Sequence, residues 1–333
     1  MSGPHVVALG GGHGLAASLR ALRRLTDRLT AVVTVADDGG SSGRLRQELG
    51  VLPPGDLRMA LAALCGDDDW GRTWSRVVQH RFAGHGELEG HAVGNLLIVA
   101  LWEIVGDDPV EGLDWVARLL GCSGRVLPMS SEPLEIVARV RGVDPGQPDA
   151  VSEVRGQVSV ATTPGTVLEV RLDPADPTPC RPAVDAVHAA DWVVLGPGSW
   201  FTSVIPHVLV PDLADALVET SARRVLVVNL APEPETADFS PEEYLRVLHQ
   251  HAPAMRLDVV LADADSVPDP RRLERAADAY GARVVLARLR ADDGSVRHDP
   301  VRLRGALAPI LGVAASATSV ATSLPERRDP AWR

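Results

Sequence analysis

The chain has 333 residues with 33 basic and 44 acidic side chains, a formal net charge of −11. That length holds one large α/β domain or two ordinary ones with a sizeable core, and the acidic surplus argues against nucleic acid as the main partner, because duplex binding needs a cationic footprint. Every basic residue is arginine, which excludes a Schiff-base lysine, a P-loop ending in Gly-Lys and a kinase-type phosphate lysine.

From the N-terminus, His5 to Leu9 is a β-branched run that breaks at Gly10-Gly11-Gly12-His13-Gly14, after which Leu15, Leu19, Leu22 and Leu25 recur at helical spacing. Strand, glycine turn and helix open a βαβ unit. Leu29 to Val35 reads as a second buried strand, since parallel-sheet strands are continuous apolar runs. It ends in Ala36 to Gly43, predicted to be a polar, glycine-rich loop. A helical region follows over about 56–121, and a small antiparallel β insert over about 125–172. The most apolar helix candidate, Ala92 to Val105, is too short to span a bilayer and carries Asn95 and Glu103. Core strands then return at Trp192–Leu195, Val225–Asn229, Leu257–Ala262 and Arg283–Leu286, separated by helices at about 212–221, 241–251 and 270–280. The pattern predicts an α/β fold: a Rossmann-like, doubly wound, mostly parallel sheet in a single domain over 1–312. Residues 313–333 read as a flexible tail. Cys65, Cys122 and Cys180 stand too far apart for a disulfide framework or a zinc ribbon. Without a secretory start or a membrane span, a soluble, reduced, cytoplasmic protein is expected.

Five segments carry candidate chemistry. Gly10 to Gly14 places converging N–H groups at a helix N-terminus, a natural seat for phosphate, although the spacing is not the dinucleotide pattern G-x-G-x-x-G. In the second loop, Asp37 and Asp38 precede Gly39, Ser41, Ser42 and Arg44. Neighbouring side chains diverge in extended chain, so one aspartate faces a ligand or a magnesium ion while the other caps the loop, or the pair forms an Asx-turn. Third, Asp56 in Pro-Pro-Gly-Asp-Leu-Arg is placed to N-cap a helix from Leu57, whereas Arg58 in the first turn is unfavourable unless an anion sits there. His91 and Asn95 share a helix face at i and i+4, either as the mouth of a buried helix or as a cap plus a core asparagine. The nearby His80 and His85 do not have metal-ligand spacing with His91. Finally, Gly196-Pro197-Gly198-Ser199, followed by Thr202, is a second strand-glycine-hydroxyl turn, and two such turns in one sheet suit a ligand with two phosphates or a phosphate and a sugar.

With VVALGGGHG, VTVADDGGSSGRLR, PPGDLR, GHAVGNLL, RVLP, VLGPGSWFTSVIP and VRHDP in order over positions 6 to about 311, the chain resembles the YvcK/CofD-like family, and its YvcK branch more closely than CofD. The resemblance implies a regulatory protein that binds a UDP-sugar such as UDP-N-acetylglucosamine and supports cell shape, cell-envelope metabolism and growth on gluconeogenic carbon. It further implies protein partners and a homodimer, with no required cofactor and magnesium possible. The glycine loops would hold the diphosphate, Asp37, Asp38 and Asp56 would orient sugar or metal, and Arg44, Arg58 and Arg297 would offset charge. The rival reading is a CofD-like transferase in which Asp38 and Asp56 bind magnesium while an alcohol attacks a nucleoside diphosphate donor carrying a phospholactyl-type group. A third is a scaffold with a vestigial pocket. Departures from the family's pattern include His13 in place of threonine, Ala92-Val93 within the Gly-His-Ser-x-Gly-Asn motif, Glu233-Pro234 before Glu235-Thr236, and Arg275-Ala276 where relatives have Arg-Tyr, with Tyr280 the one nearby ring.

Overall fold

The computed structural model describes residues 3–106 and 108–314. Seven parallel strands form the main sheet in the order β10-β9-β8-β7-β1-β2-β3. The strands are β1 (Val6–Gly10), β2 (Leu29–Val33), β3 (Arg125–Pro128), β7 (Trp192–Leu195), β8 (Arg223–Val227), β9 (Val259–Asp263) and β10 (Arg283–Ala287). β1, β2, β7 and β9 are buried along their whole length, as expected of parallel strands covered on both faces. From β1 the chain winds outward through β2 and β3, then returns to β7 on the other side and winds away through β8 to β10. The boundary between β1 and β7 is therefore the topological switch point, where doubly wound sheets bind ligands outside the strand ends.

The helical region comprises α3 (Gly55–Leu64), α4 (Asp69–Gln79), α5 (Val93–Val105) and α6 (Pro109–Leu120). Helix α1 (Gly12–Leu22) packs against α3 and against α12 (Pro300–Leu311). The three later predicted helices are α9 (Pro211–Glu219), α10 (Pro241–His251) and α11 (Pro270–Asp278), while α8 (Arg181–His188) and α12 have no counterpart in the sequence reading.

Two boundaries differ from expectation. β3 pairs in parallel with β2 and belongs to the main sheet, so the antiparallel insert starts only at β4 (Glu135–Arg141) and adds β5 (Val151–Arg155) and β6 (Thr166–Asp173) in the order β5-β4-β6. The polar segment read as a loop to Gly43 is already helical from Gly40, in α2 (Gly40–Leu49). Its apolar face is thin, with Leu45 buried beside Ser41 and Ser42, so hydrogen bonds rather than hydrophobic periodicity anchor it. The tail predicted for 313–333 lies outside the described residues beyond Ala314. Among the described residues, no single helix is long and apolar enough to cross a membrane.

Candidate functional site

At the switch point a cleft of about 780 Å³ opens above the ends of β1 and β7. Gly11, Gly12, His13 and Gly14 form one wall and Gly198 and Ser199 the other, so the two glycine turns face a common space. They also touch: a Cβ on Gly14 would collide with the Pro197 carbonyl oxygen, an approach only glycine permits. Gly12 has φ +57° and its Cβ direction is open, so a side chain there would be strained and would project into free space. Asn229 fixes the far turn from both sides, accepting from the Gly198 N–H at 3.0 Å and donating to the Gly198 carbonyl at 2.9 Å. The Ser199 hydroxyl donates to Glu233 at 2.6 Å. Gly10 and Gly196 lie beneath, as buried strand-end residues that do not line the cleft.

The aspartates divide differently from expectation. Asp38 is exposed and its Oδ1 accepts from the Val158 N–H at 2.9 Å, at the first turn of the short helix α7 (Gln157–Ala161). Its carboxylate therefore fastens the insert. Asp37 closes an Asx-turn on the Gly39 N–H at 3.0 Å, and its other oxygen lies against Gly55, where a Cβ would meet it at 2.7 Å. Asp56 does not cap α3, since Pro54 is the capping position and Asp56 stands inside the first turn with no capping bond. It lines the cleft instead. Burial pushes its carboxyl up to about 7, helped by the charge of Asp37 and opposed by a hydrogen bond from Gly12 N–H and by Arg58. Its Oδ2 is buried with no hydrogen-bond partner, hard against the space a Cβ on Gly11 would need. The orphaned oxygen lacks only a partner such as a proton or a cation, and the carboxylate whose charge acts on Asp56 is Asp37, not Asp38, so Asp37 and Asp56 are the pair that would hold magnesium.

Behind this wall runs a buried polar network. Arg58 donates through Nε to Asn95 Oδ1 at 2.9 Å, Asn95 donates to Ser41 Oγ at 3.0 Å, and Ser41 meets His91 Nδ1 at 3.1 Å. Ser42 lies 3.5 Å from the Asn95 amide. His91 precedes the cap of α5, so it reaches Ser41 from outside the helix rather than sharing a face with Asn95. Arg58 is 4% and Asn95 1% exposed, and burial, followed by the nearby Arg81, pushes the Arg58 guanidinium down to about 10. Arg44 points away, donating to the carbonyls of Glu87 and Glu89. Thus Gly39, Ser41, Ser42, Arg44, Arg58, His91 and Asn95 do not line the cleft. Of these, Ser41, Ser42, Arg58 and Asn95 tie α2, α3 and α5 together. Thr202 is buried beside Glu235, likewise off the cleft.

Arg297 does line the cleft, across from His13. Burial first, then the charges of Arg297, Arg20 and Arg58, hold the His13 imidazole below its ordinary value, which marks a positive potential at the mouth. Sequence reasoning did not single out Arg20, Asn229 and His298, which also line the cleft, or Glu235, which is 3% exposed and accepts from the Phe201 N–H at 3.0 Å. Burial raises Glu235 to about 8 and lowers His298 to about 4. Asn229 at the end of a core strand was the one legible signal among them. Tyr280 does not replace the missing ring, because it is buried and its hydroxyl donates to the Leu245 carbonyl at 2.9 Å.

The family profile described as 2-phospho-L-lactate transferase CofD matches residues 6–301. A Mycobacterium tuberculosis protein provisionally named a gluconeogenesis factor is 54% identical over 341 residues, covering 98% of this chain and 99% of that protein. The gluconeogenesis factor of Listeria monocytogenes is 35% identical, covering 92% and 96%. The crystal structure of a UPF0052-family protein from Bacillus halodurans superposes with a TM-score of 0.81 at 31% identity, covering 92% of this chain and 99% of that one. Fold, motif order and near full-length identity together make this chain a member of the CofD family, on its gluconeogenesis-factor (YvcK) branch.

Proposed function

We propose that the protein is a nucleotide-sugar sensor that binds a UDP-N-acetylglucosamine-type ligand in the switch-point cleft and, through protein partners and as a homodimer, regulates cell shape, cell-envelope metabolism and growth on gluconeogenic carbon. The observation that carries the reading is that the turns after β1 and β7 line one cleft. The backbone of the turn after β1 offers N–H groups to a diphosphate, and Arg20 and Arg297 supply the countercharge. A volume of about 780 Å³ is in the range of small-ligand and cofactor sites. The names of the relatives support the link to gluconeogenic growth.

Asp56 favours a second reading. A buried carboxyl at about 7 in the cleft is poised to take or give a proton near neutrality, as a CofD-like transferase acting on an alcohol and a nucleoside diphosphate donor would require. Magnesium held by Asp37 and Asp56 would supply charge neutralisation to that diphosphate. Calorimetric titration with UDP-N-acetylglucosamine and GDP, each with and without magnesium, separates the two. Metal-independent binding of the UDP-sugar without turnover supports the sensor, while strict magnesium dependence with slow consumption of the donor supports the transferase.

A further inference from the structure

Beside the cleft, sharing Arg20, Asp299 and Pro300 with its wall, lies a second cavity of about 460 Å³ between the end of α1, the end of α3 and helix α4. Five arginines line it, Arg20, Arg23, Arg24, Arg72 and Arg76, against Asp67 and Asp299. In a chain of net charge −11 this is a concentrated positive patch. The acids do not neutralise it. Asp299 is engaged in capping α12, accepting from Val301 N–H at 2.7 Å and Arg302 N–H at 3.0 Å. Asp67 alone takes both Arg23 at 2.6 Å and Arg24 at 2.8 Å, and Arg72 pairs with Asp69 at 2.5 Å. Among the described residues, Arg20 and Arg76 have no carboxylate partner. The Arg23 Nε is buried without a hydrogen bond, on a side chain only 11% exposed. Burial and the neighbouring Arg23 also lower the Arg20 guanidinium from its ordinary value. Like charges crowded in this way cost free energy until an anion enters.

We propose that this groove is a second ligand site, taking a small phosphorylated metabolite separately from the nucleotide cleft. Guanidinium groups match phosphate oxygens in bidentate fashion, and Arg20 and Arg76 line the groove without a carboxylate partner among the described residues. The volume admits a compact anion of one or two phosphate groups rather than a polymer. Arg20 belongs to both cavities, so filling one changes the potential in the other, and by linkage each ligand alters the other's affinity equally. The site stands without the nucleotide-sugar reading.

The test is calorimetry of the full-length protein with inorganic pyrophosphate at low ionic strength. Wild type should bind it. Arg76→Glu, on the exposed face of α4, should weaken binding by about tenfold or more, the effect of losing a close charge-assisted contact and adding a repulsion. Asp67→Asn should tighten it severalfold by releasing Arg23 and Arg24. Gly12→Val, which projects a side chain into the other cleft, should leave it in place. Absence of binding, affinity unmoved by Arg76→Glu, or loss in Gly12→Val would overturn the proposal. The two readings fail separately: a protein that ignores UDP-N-acetylglucosamine yet binds pyrophosphate in an Arg76-dependent way overturns only the nucleotide-sugar reading.

Discussion

Replacing Asp56 by asparagine tests the electrostatics of the cleft most directly. Burial holds the folded carboxyl at about 7 against 3.8 in the open chain. The folded protein therefore binds more protons than the unfolded chain between those values, so stability falls as pH rises through that window and is level on either side of it. The full penalty on the ionised form is on the order of 4 kcal/mol above about pH 7. The introduced amide would keep an acceptor for the Gly12 N–H, but it places N–H donors where the orphaned Oδ2 now lies, which offsets part of the gain. The variant should thus be more stable than wild type by about 1–3 kcal/mol at about pH 8 and by little at about pH 4.5. Urea denaturation of both proteins at the two pH values measures this, and the slope contributed by Glu235, also raised by burial, cancels in the difference. A stability difference that is the same at both pH values would refute the reasoning, because Asp56 would then not titrate in the window. On the nucleotide-sugar reading the same charge faces the ligand, because Asp56 lines the cleft. Binding of UDP-N-acetylglucosamine, whose diphosphate is already fully ionised, should weaken as pH rises through about 7 in wild type and stay level in Asp56→Asn.

Gly12→Val should remain folded at a cost of about 1–2 kcal/mol for its left-handed backbone and lose nucleotide binding, read by calorimetry together with circular dichroism. Gly14→Ala drives a methyl into the Pro197 carbonyl, and thermal melts should register a loss of at least about 2 kcal/mol. Asn95→Ala leaves the Arg58 Nε buried and unpaired and should destabilise by about 2–4 kcal/mol in chemical denaturation; a near-neutral result would mean that water replaces the amide. Asp38→Asn should leave UDP-N-acetylglucosamine affinity within about threefold of wild type, because its partner is Val158 rather than the ligand, and a larger loss would return Asp38 to the site.

The fold was legible where local rules act alone. Strand, glycine and helix in succession mark the ends of β1 and β7, because a turn that must admit close backbone approach is written in glycine at fixed offsets. The same rules place Gly11 to Gly14, Gly198 and Ser199 at one cleft. Asp38 was misread because its partner stands 120 residues away, in an insert whose docking no periodicity encodes. Arg125–Pro128 alternates too briefly to say which sheet it joins. α2 escaped notice because its stability comes from Ser41 and Ser42 bonding to α5, a tertiary device that looks in sequence like a flexible turn. Glu235 sits in a run of prolines and glutamates that reads as solvated, and only the packed structure reveals that the carboxyl is buried.

The departures from the family's usual motifs bear on ligand recognition unequally. His13 removes a hydroxyl, and because burial, then Arg297 and Arg20, disfavour its charged form, its ring adds little charge to compete with theirs. Glu233 matters more. By accepting the Ser199 proton at 2.6 Å, it commits that hydroxyl, so Ser199 cannot donate to a phosphate while the pair stands. A carboxylate beside a bound diphosphate would also repel it. On the nucleotide-sugar reading, contacts to the phosphates would then come mainly from the backbone of Gly11 to Gly14 and from Arg297, with the Glu233 side available to hydroxyl groups, which can donate to a carboxylate. That division places the sugar rather than the diphosphate against the turn after β7. Glu233→Gln, which keeps an acceptor for Ser199 but removes the repulsion, should therefore strengthen UDP binding more than it strengthens UDP-N-acetylglucosamine binding. Equal gains for the two ligands in parallel titrations would place the diphosphate, not the sugar, beside Glu233.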